Sequence, residues 1–226
     1  MSVTFKKSNM KIDFVSDIAC PWCAVGLNAL EIALKRIGDD IPVTLHMQPF
    51  ELNPDMAKDG VDASEYLASK YGLSAAQLAA NRANILARGE AVGFTFGERS
   101  RVWNTFDAHR LLHWAGLQDI AKQRALKHAL LRSYHGEGRN PSSKDVLLAL
   151  AQEVGLDGTA AQTILESDTY AREVHEAEQF WIRNGVNAVP AVIINDQHLI
   201  SGGQPPEVFE QALRQIATKA QHAAKS

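Results

Sequence analysis

Apolar positions along this chain follow two rhythms: short dense runs near both ends, and helical spacing through the middle. Lys11 to Ser16 is short and apolar-rich and reads as a strand. Pro21 to about Ile37 reads as a helix with Val25, Leu27, Leu30, Ile32, Leu34 and Ile37 on its buried sides, stopped by Gly38 and Asp39-Asp40. Val43 to Phe50 alternates as a strand, with Val43, Leu45 and Met47 on one face and Pro49 closing it. A strand–helix–strand unit of this length predicts a parallel pair. From Asp62 to Asn184 the pattern is almost wholly helical. Asp62 with Glu65, Ser74 with Gln77 and Asn104 with Asp107 resemble helix starts. Leu126, Leu130 and Leu131, then Val146, Leu147, Leu150 and Val154, form apolar stripes, and Thr169 to Asn184 makes a last helix ended by Gly185. Strand character returns from Val189 to Ile194, turns at Asn195-Asp196, and runs back over His198 to Ser201 before a helix carrying Val208, Phe209, Leu213 and Ile216. The order is therefore βαβ, a helical block, then ββα. We expect residues 1–61 and 185–226 to form one α/β domain, with the helices of 62–184 inserted into it.

Composition narrows the class. A hydrophobic share of 46% supports a real core, and a net charge of −3 without any dense basic block argues against a nucleic-acid surface. No run approaches the roughly 20 apolar residues of a membrane span. The lysines near Met1 precede no apolar stretch of the secretory kind, so a cytoplasmic protein is expected. A stable structural disulfide is disfavoured in that compartment, which turns attention to the chemistry of the two cysteines.

These are Cys20 and Cys23, in Cys20-Pro21-Trp22-Cys23, where the first strand gives way to the first helix. A cysteine is a nucleophile only as thiolate, and the unpaired N–H groups and dipole of a helix N-terminus favour that anion. Pro21 falls where a helix tolerates proline best. The spacing reads as a redox-active dithiol. The bland alternatives are half of a zinc site, which lacks a second cysteine pair, or two inert buried thiols.

The element order, the CxxC at the helix start and a proline opening the third strand describe a thioredoxin-like fold, and the helical insertion resembles the DsbA branch. Four stretches are similar to the FrnE-like group: Asp13 to Gly26, Pro49 to Pro54, Asn104 to Leu111 and Gly185 to Ala191. The resemblance implies a thiol–disulfide oxidoreductase with Cys20 as the more exposed attacking thiol and Cys23 as the buried resolving one. It implies a cis Val189-Pro190 bond beside the dithiol, with the Val189 backbone, Pro21 and Trp22 meeting the substrate. The periplasmic DsbA enzymes carry histidine where this chain has Trp22, and an indole offers a thiolate neither charge nor a ring-nitrogen hydrogen bond. A less depressed Cys20 and a less oxidising couple than in DsbA are therefore expected.

No metal or organic cofactor is expected. The Cys20–Cys23 disulfide is itself the redox group, with glutathione as a candidate reductant and thiol- or disulfide-bearing proteins or small molecules as partners. Two other functions compete: a glutathione-dependent transferase or isomerase of the kappa type, whose members commonly carry serine in place of Cys20, and a redox-sensing chaperone or binding protein. His109 and His113 with Asp107 could pair on a metal, though satisfied or surface histidines are the simpler reading. Glu51 reads either as a proton relay to Cys23 or as a loop carboxylate. Ser201-Gly202-Gly203 reads either as a contact for a glutathione carboxylate or, more simply, as a turn.

Overall fold

The computed structural model describes residues 9–223. In chain order the elements are β1 (Met10–Ser16), α1 (Pro21–Ile37), β2 (Val43–Pro49), β3 (Val61–Asp62), α2 (Ala63–Tyr71), α3 (Ala75–Glu90), β4 (Arg101–Val102), α4 (Phe106–Gln118) and α5 (Ile120–Leu131). A π-helical turn (Arg132–Gly136), α6 (Lys144–Glu153), α7 (Gly158–Leu165), α8 (Ala171–Arg183), β5 (Ala191–Ile194), β6 (His198–Ser201) and α9 (Pro206–Ala223) complete the chain.

The main sheet runs β2-β1-β5-β6. β1 is parallel to β2, from Met10 opposite Val43 to Ser16 opposite Pro49, and antiparallel to β5, with Val15 opposite Ala191. Because β1 is central and covered on both faces, every residue in it but Lys11 is buried, rather than alternate ones. Ile12 and Phe14 join a core with α1 and α9, including Leu27, Leu30, Phe209 and Leu213. Val15 points the other way, to Phe50, Trp181, Ala191 and Ile193. Leu111, Leu126, Leu130, Tyr134, Leu147 and Leu150 centre a separate core of helices α4–α7.

Gln123 ties these helices to the sheet. Its amide accepts from the Met47 N–H and donates to the Met47 and Leu112 carbonyls, all at 3.1 Å. Met47 lies on an edge strand, so the side chain satisfies backbone groups that would otherwise be unpaired.

Three expectations need correcting. The middle of the chain is not purely helical: β3 and β4 form a two-stranded ribbon, Val61 opposite Val102 and Asp62 opposite Arg101. The third strand of the main sheet begins at Ala191, after Pro190 rather than at Val189, since proline has no N–H to give a ladder. The last helix before it begins at Ala171, because Tyr170 at φ 65° is left-handed and cannot continue a helical turn. Two of the three expected helix starts carry their caps. Asp62 accepts from the Glu65 N–H, and Ser74 with Gln77 makes a reciprocal capping box. Asn104 instead caps its own turn by accepting from Phe106 N–H, one residue before α4 has its Ncap, Thr105.

Candidate active site

Cys20 is the Ncap residue of α1, in extended conformation (φ −91°, ψ 114°), and Pro21 occupies the first helical turn. The Cys23 N–H donates to the Cys20 carbonyl at 3.1 Å. Both thiols are free and buried, Cys20 at 5% exposure and Cys23 at 0%. Their environments split their acidities. A hydrogen bond from the Cys23 thiol lowers the Cys20 pKa, helped by the backbone N–H groups of Cys23 and Trp22 and opposed by burial and the Asp17 carboxylate. Burial pushes Cys23 well up, and its contact with Cys20 pushes it further. Cys20 is thus the thiol disposed to ionise and Cys23 the one disposed to keep its proton.

The far end of the chain completes the site. The Val189-Pro190 bond is cis, and the Cys20 thiol donates to the Val189 carbonyl at 3.5 Å. Close approach depends on glycine. A Cβ on Gly26 would sit 2.9 Å from Pro190 Cγ, and one on Gly203 would sit 3.1 Å from the Trp22 carbonyl. Trp22 is half-buried, with the Arg88 guanidinium 5.9 Å from its ring centroid. Pro21 and Val189 are also half-buried and Pro190 is buried. All six residues expected at the site therefore gather in one place. Gly202, at φ 81°, donates to the Pro190 carbonyl and Arg88 donates to the Gly203 carbonyl, so Ser201-Gly202-Gly203 serves as a turn behind the site.

Residues outside the expected set hold the loop before Cys20. Asp17 is fully buried and accepts from Ala19 N–H (3.0 Å), Leu52 N–H (2.7 Å) and the Thr105 hydroxyl (2.8 Å), with His109 Nε2 at 3.4 Å. Burial pulls its carboxyl up, but His109 and the two N–H groups more than offset this and hold it below the usual range. His135 Nε2 donates to the Ile18 carbonyl (2.8 Å) and Arg99 to that of Ala19 (3.1 Å). Burial, with Arg99 nearby, pushes His135 down to about 3. His109 is thus a buried partner of Asp17, while His113 packs on Tyr170. Arg110, beside them, pairs with Asp107 at 2.8 Å and donates to the carbonyls of Ile164, Ser167 and Thr169.

Lys127 of α5 is the least expected member. It is fully buried, its Nζ has no hydrogen-bond partner among the described residues, and burial pushes its pKa down to about 8. Cys23, Asp17 and Cys20, in that order, pull it back up, so its charge faces the dithiol. The sequence did carry a signal: Lys127 falls on the stripe of Gln123, Leu126, Leu130 and Leu131, where a lysine must bury.

On its open side Cys20 meets a groove of about 770 Å³. Its floor is Cys20, Pro21 and Trp22, and its walls include Tyr66 and Leu67 of α2, Leu78 and Ile85 of α3, and Phe96 and Arg99. The inserted helices therefore shape access to the thiol. Glu51 is not a solvated loop carboxylate: its carboxyl groups with Glu178 and His175, and burial with the Glu178 charge pushes it up to about 8.

Comparison with known proteins agrees with this geometry. The DSBA-like thioredoxin domain matches residues 11–214. The uncharacterized protein YwbO of Bacillus subtilis (strain 168) is 30% identical over 203 residues, 89% of this chain and 94% of that one. The crystal structure of the probable DsbA oxidoreductase SCO1869 from Streptomyces coelicolor superposes with a TM-score of 0.85 at 36% identity, covering 91% and 89% of the two chains. The cytosolic disulfide reductase DsbM from Pseudomonas aeruginosa, in its structure with GSH, shares the fold at 19% identity and a TM-score of 0.62, over 91% and 98%. Among the described residues no helix is long and apolar enough to cross a membrane. With the fold, the paired thiols and a match over most of its length, the chain belongs to the DSBA-like thioredoxin-domain family.

Proposed function

We propose that this protein is a thiol–disulfide oxidoreductase that exchanges the Cys20–Cys23 disulfide with thiol-bearing substrates through a mixed disulfide at Cys20. One observation carries the reading: an Ncap thiol with a depressed pKa faces a substrate-sized groove, while a second thiol with a raised pKa lies buried behind it. In the oxidised protein a substrate thiolate attacks Cys20 Sγ. The Cys20–Cys23 bond breaks, and Cys23 leaves as a thiolate in the field of Lys127 before taking up a proton. A second substrate thiolate then attacks the substrate sulfur in the mixed disulfide, and Cys20 leaves as a thiolate. The substrate loses two electrons and two thiol protons, and the protein gains its dithiol. Reduction of a substrate disulfide runs the same steps backwards.

Pro21, Trp22, Val189 and Pro190 contact the substrate, with an extended segment pairing to the Val189 backbone. Family resemblance favours the FrnE-like group, a cytoplasmic setting and glutathione as the reductant. The kappa-type transferase reading requires glutathione but not the cysteines, and a binding protein would need no turnover. Cys20→Ser is expected to abolish insulin reduction and dithiol oxidation, while Cys23→Ser traps mixed disulfides. Turnover undiminished in Cys20→Ser would overturn the assignment.

A further inference from the structure

We propose that Glu51, His175 and Glu178 form a second site in this protein, one that binds a divalent first-row metal ion of the zinc or manganese class. One ligand atom from each residue lies within 4.8 Å of the other two. Glu178 and His175 stand three apart on α8, so both project from the same helix face. Their Oε2 and Nδ1 atoms are 3.4 Å apart. Two ligands each about 2.1 Å from a tetrahedral ion are separated by about that distance. The His175 ring lies stacked on Phe106, with centroids 4.3 Å apart and planes 15° apart, which fixes the direction of its nitrogens.

The carboxylates supply the independent sign of a ligand. The Glu178 side chain is only 9% exposed, and its Oε1 is buried without a hydrogen-bond partner. Glu51 Oε1 is also buried and unpartnered. A buried carboxyl oxygen left unsatisfied is costly unless a cation, or a proton, meets it. Asp17, Asp107 and Asp55 add negative potential at Glu51, although Asp17 and Asp107 are themselves partnered by His109 and by Arg110 and Lys58. His175 is 59% exposed and provides a way in from solvent. One imidazole with two carboxylates suits zinc or manganese rather than a soft ion.

This inference does not depend on the thiol chemistry, and its test keeps the two apart. Full-length protein carrying Cys20→Ser and Cys23→Ser, stripped with chelator, is titrated with ZnCl₂ by calorimetry and with CoCl₂ by visible absorption. The expected result is one ion per chain, with a Co²⁺ spectrum free of thiolate charge transfer. In the same background His175→Ala and Glu178→Gln should each weaken binding about 100-fold, equivalent to about 2.7 kcal/mol. His175 is exposed, so its variant keeps the core intact and decides the matter alone if Glu178→Gln fails to fold. No saturable binding, binding that needs the cysteines, or affinity unchanged in His175→Ala would each overturn the site.

Discussion

Lys127 is a buried ammonium whose benefit goes to the dithiol rather than to the fold. Its amine has lost water and gained no hydrogen bond, so it opposes folding. Its field reaches both sulfurs and stabilises thiolate on Cys20, the thiol disposed to ionise, and hence the reduced form. Lys127→Met should therefore leave thermal stability equal or higher while making the couple less oxidising. Since ~30 mV corresponds to about 1.4 kcal/mol, a fall of tens of millivolts against glutathione is expected. An unchanged potential would show that the charge does not reach the sulfur. Trp22→His should act in the opposite direction by adding a donor beside Cys20. It should raise the potential by tens of millivolts and lower the pH at which Cys20 is alkylated, as read by thiolate absorbance. The CxxC residues were legible because their neighbours in sequence are their neighbours in space. Lys127 and Thr105 were not: the apolar stripe signals that Lys127 is buried but not what it faces, and the two come from α5 and the start of α4, which only the folded topology brings beside the dithiol.

At the scale of elements, α1 and the loop of Pro190 must touch for Cys20 to meet Val189. Gly26 permits that contact. Gly26→Ala gains about 1 kcal/mol of helix propensity but places a methyl 2.9 Å from Pro190 Cγ, an overpacking that typically costs about 1–3 kcal/mol. The terms nearly cancel in stability, yet the displacement falls on the loop beside the nucleophile. A change in Tm of a few degrees with at least a fivefold loss of insulin-reduction rate is expected. An unimpaired rate would show that the contact does not position the site. The same elements show what a single sequence discloses. β1, α1, β2 and the final hairpin were readable from periodicity and from Pro and Gly signals. The β3–β4 ribbon was not, because two residues carry no period. Tyr170 hid a helix boundary, since nothing in a tyrosine announces a positive φ.

For the whole molecule, the split acidities of the two thiols couple the redox state to global stability. The folded-state pKa of Cys20 is lowered from 9.0, so its contribution to the reduced protein is present above that unfolded value and is lost as pH falls through the folded one. Cys23 is raised above 9.0, so its contribution is present below that value and is lost as pH rises through the folded pKa. The oxidised protein has neither titration, and its small disulfide loop adds an offset that does not vary with pH. Reduced-minus-oxidised stability should therefore rise as pH increases towards about 9 and fall beyond it. Urea unfolding of both forms from pH 5 to 10 measures this difference directly and cancels titrations common to both. In Cys20→Ser the rising limb should disappear when the reduced variant is compared with oxidised parent protein. A difference that stays flat below pH 9 would mean that the helix start and the Cys23 contact do not favour the Cys20 thiolate. The exchange site would then lack the electrostatic poise on which the proposed chemistry depends.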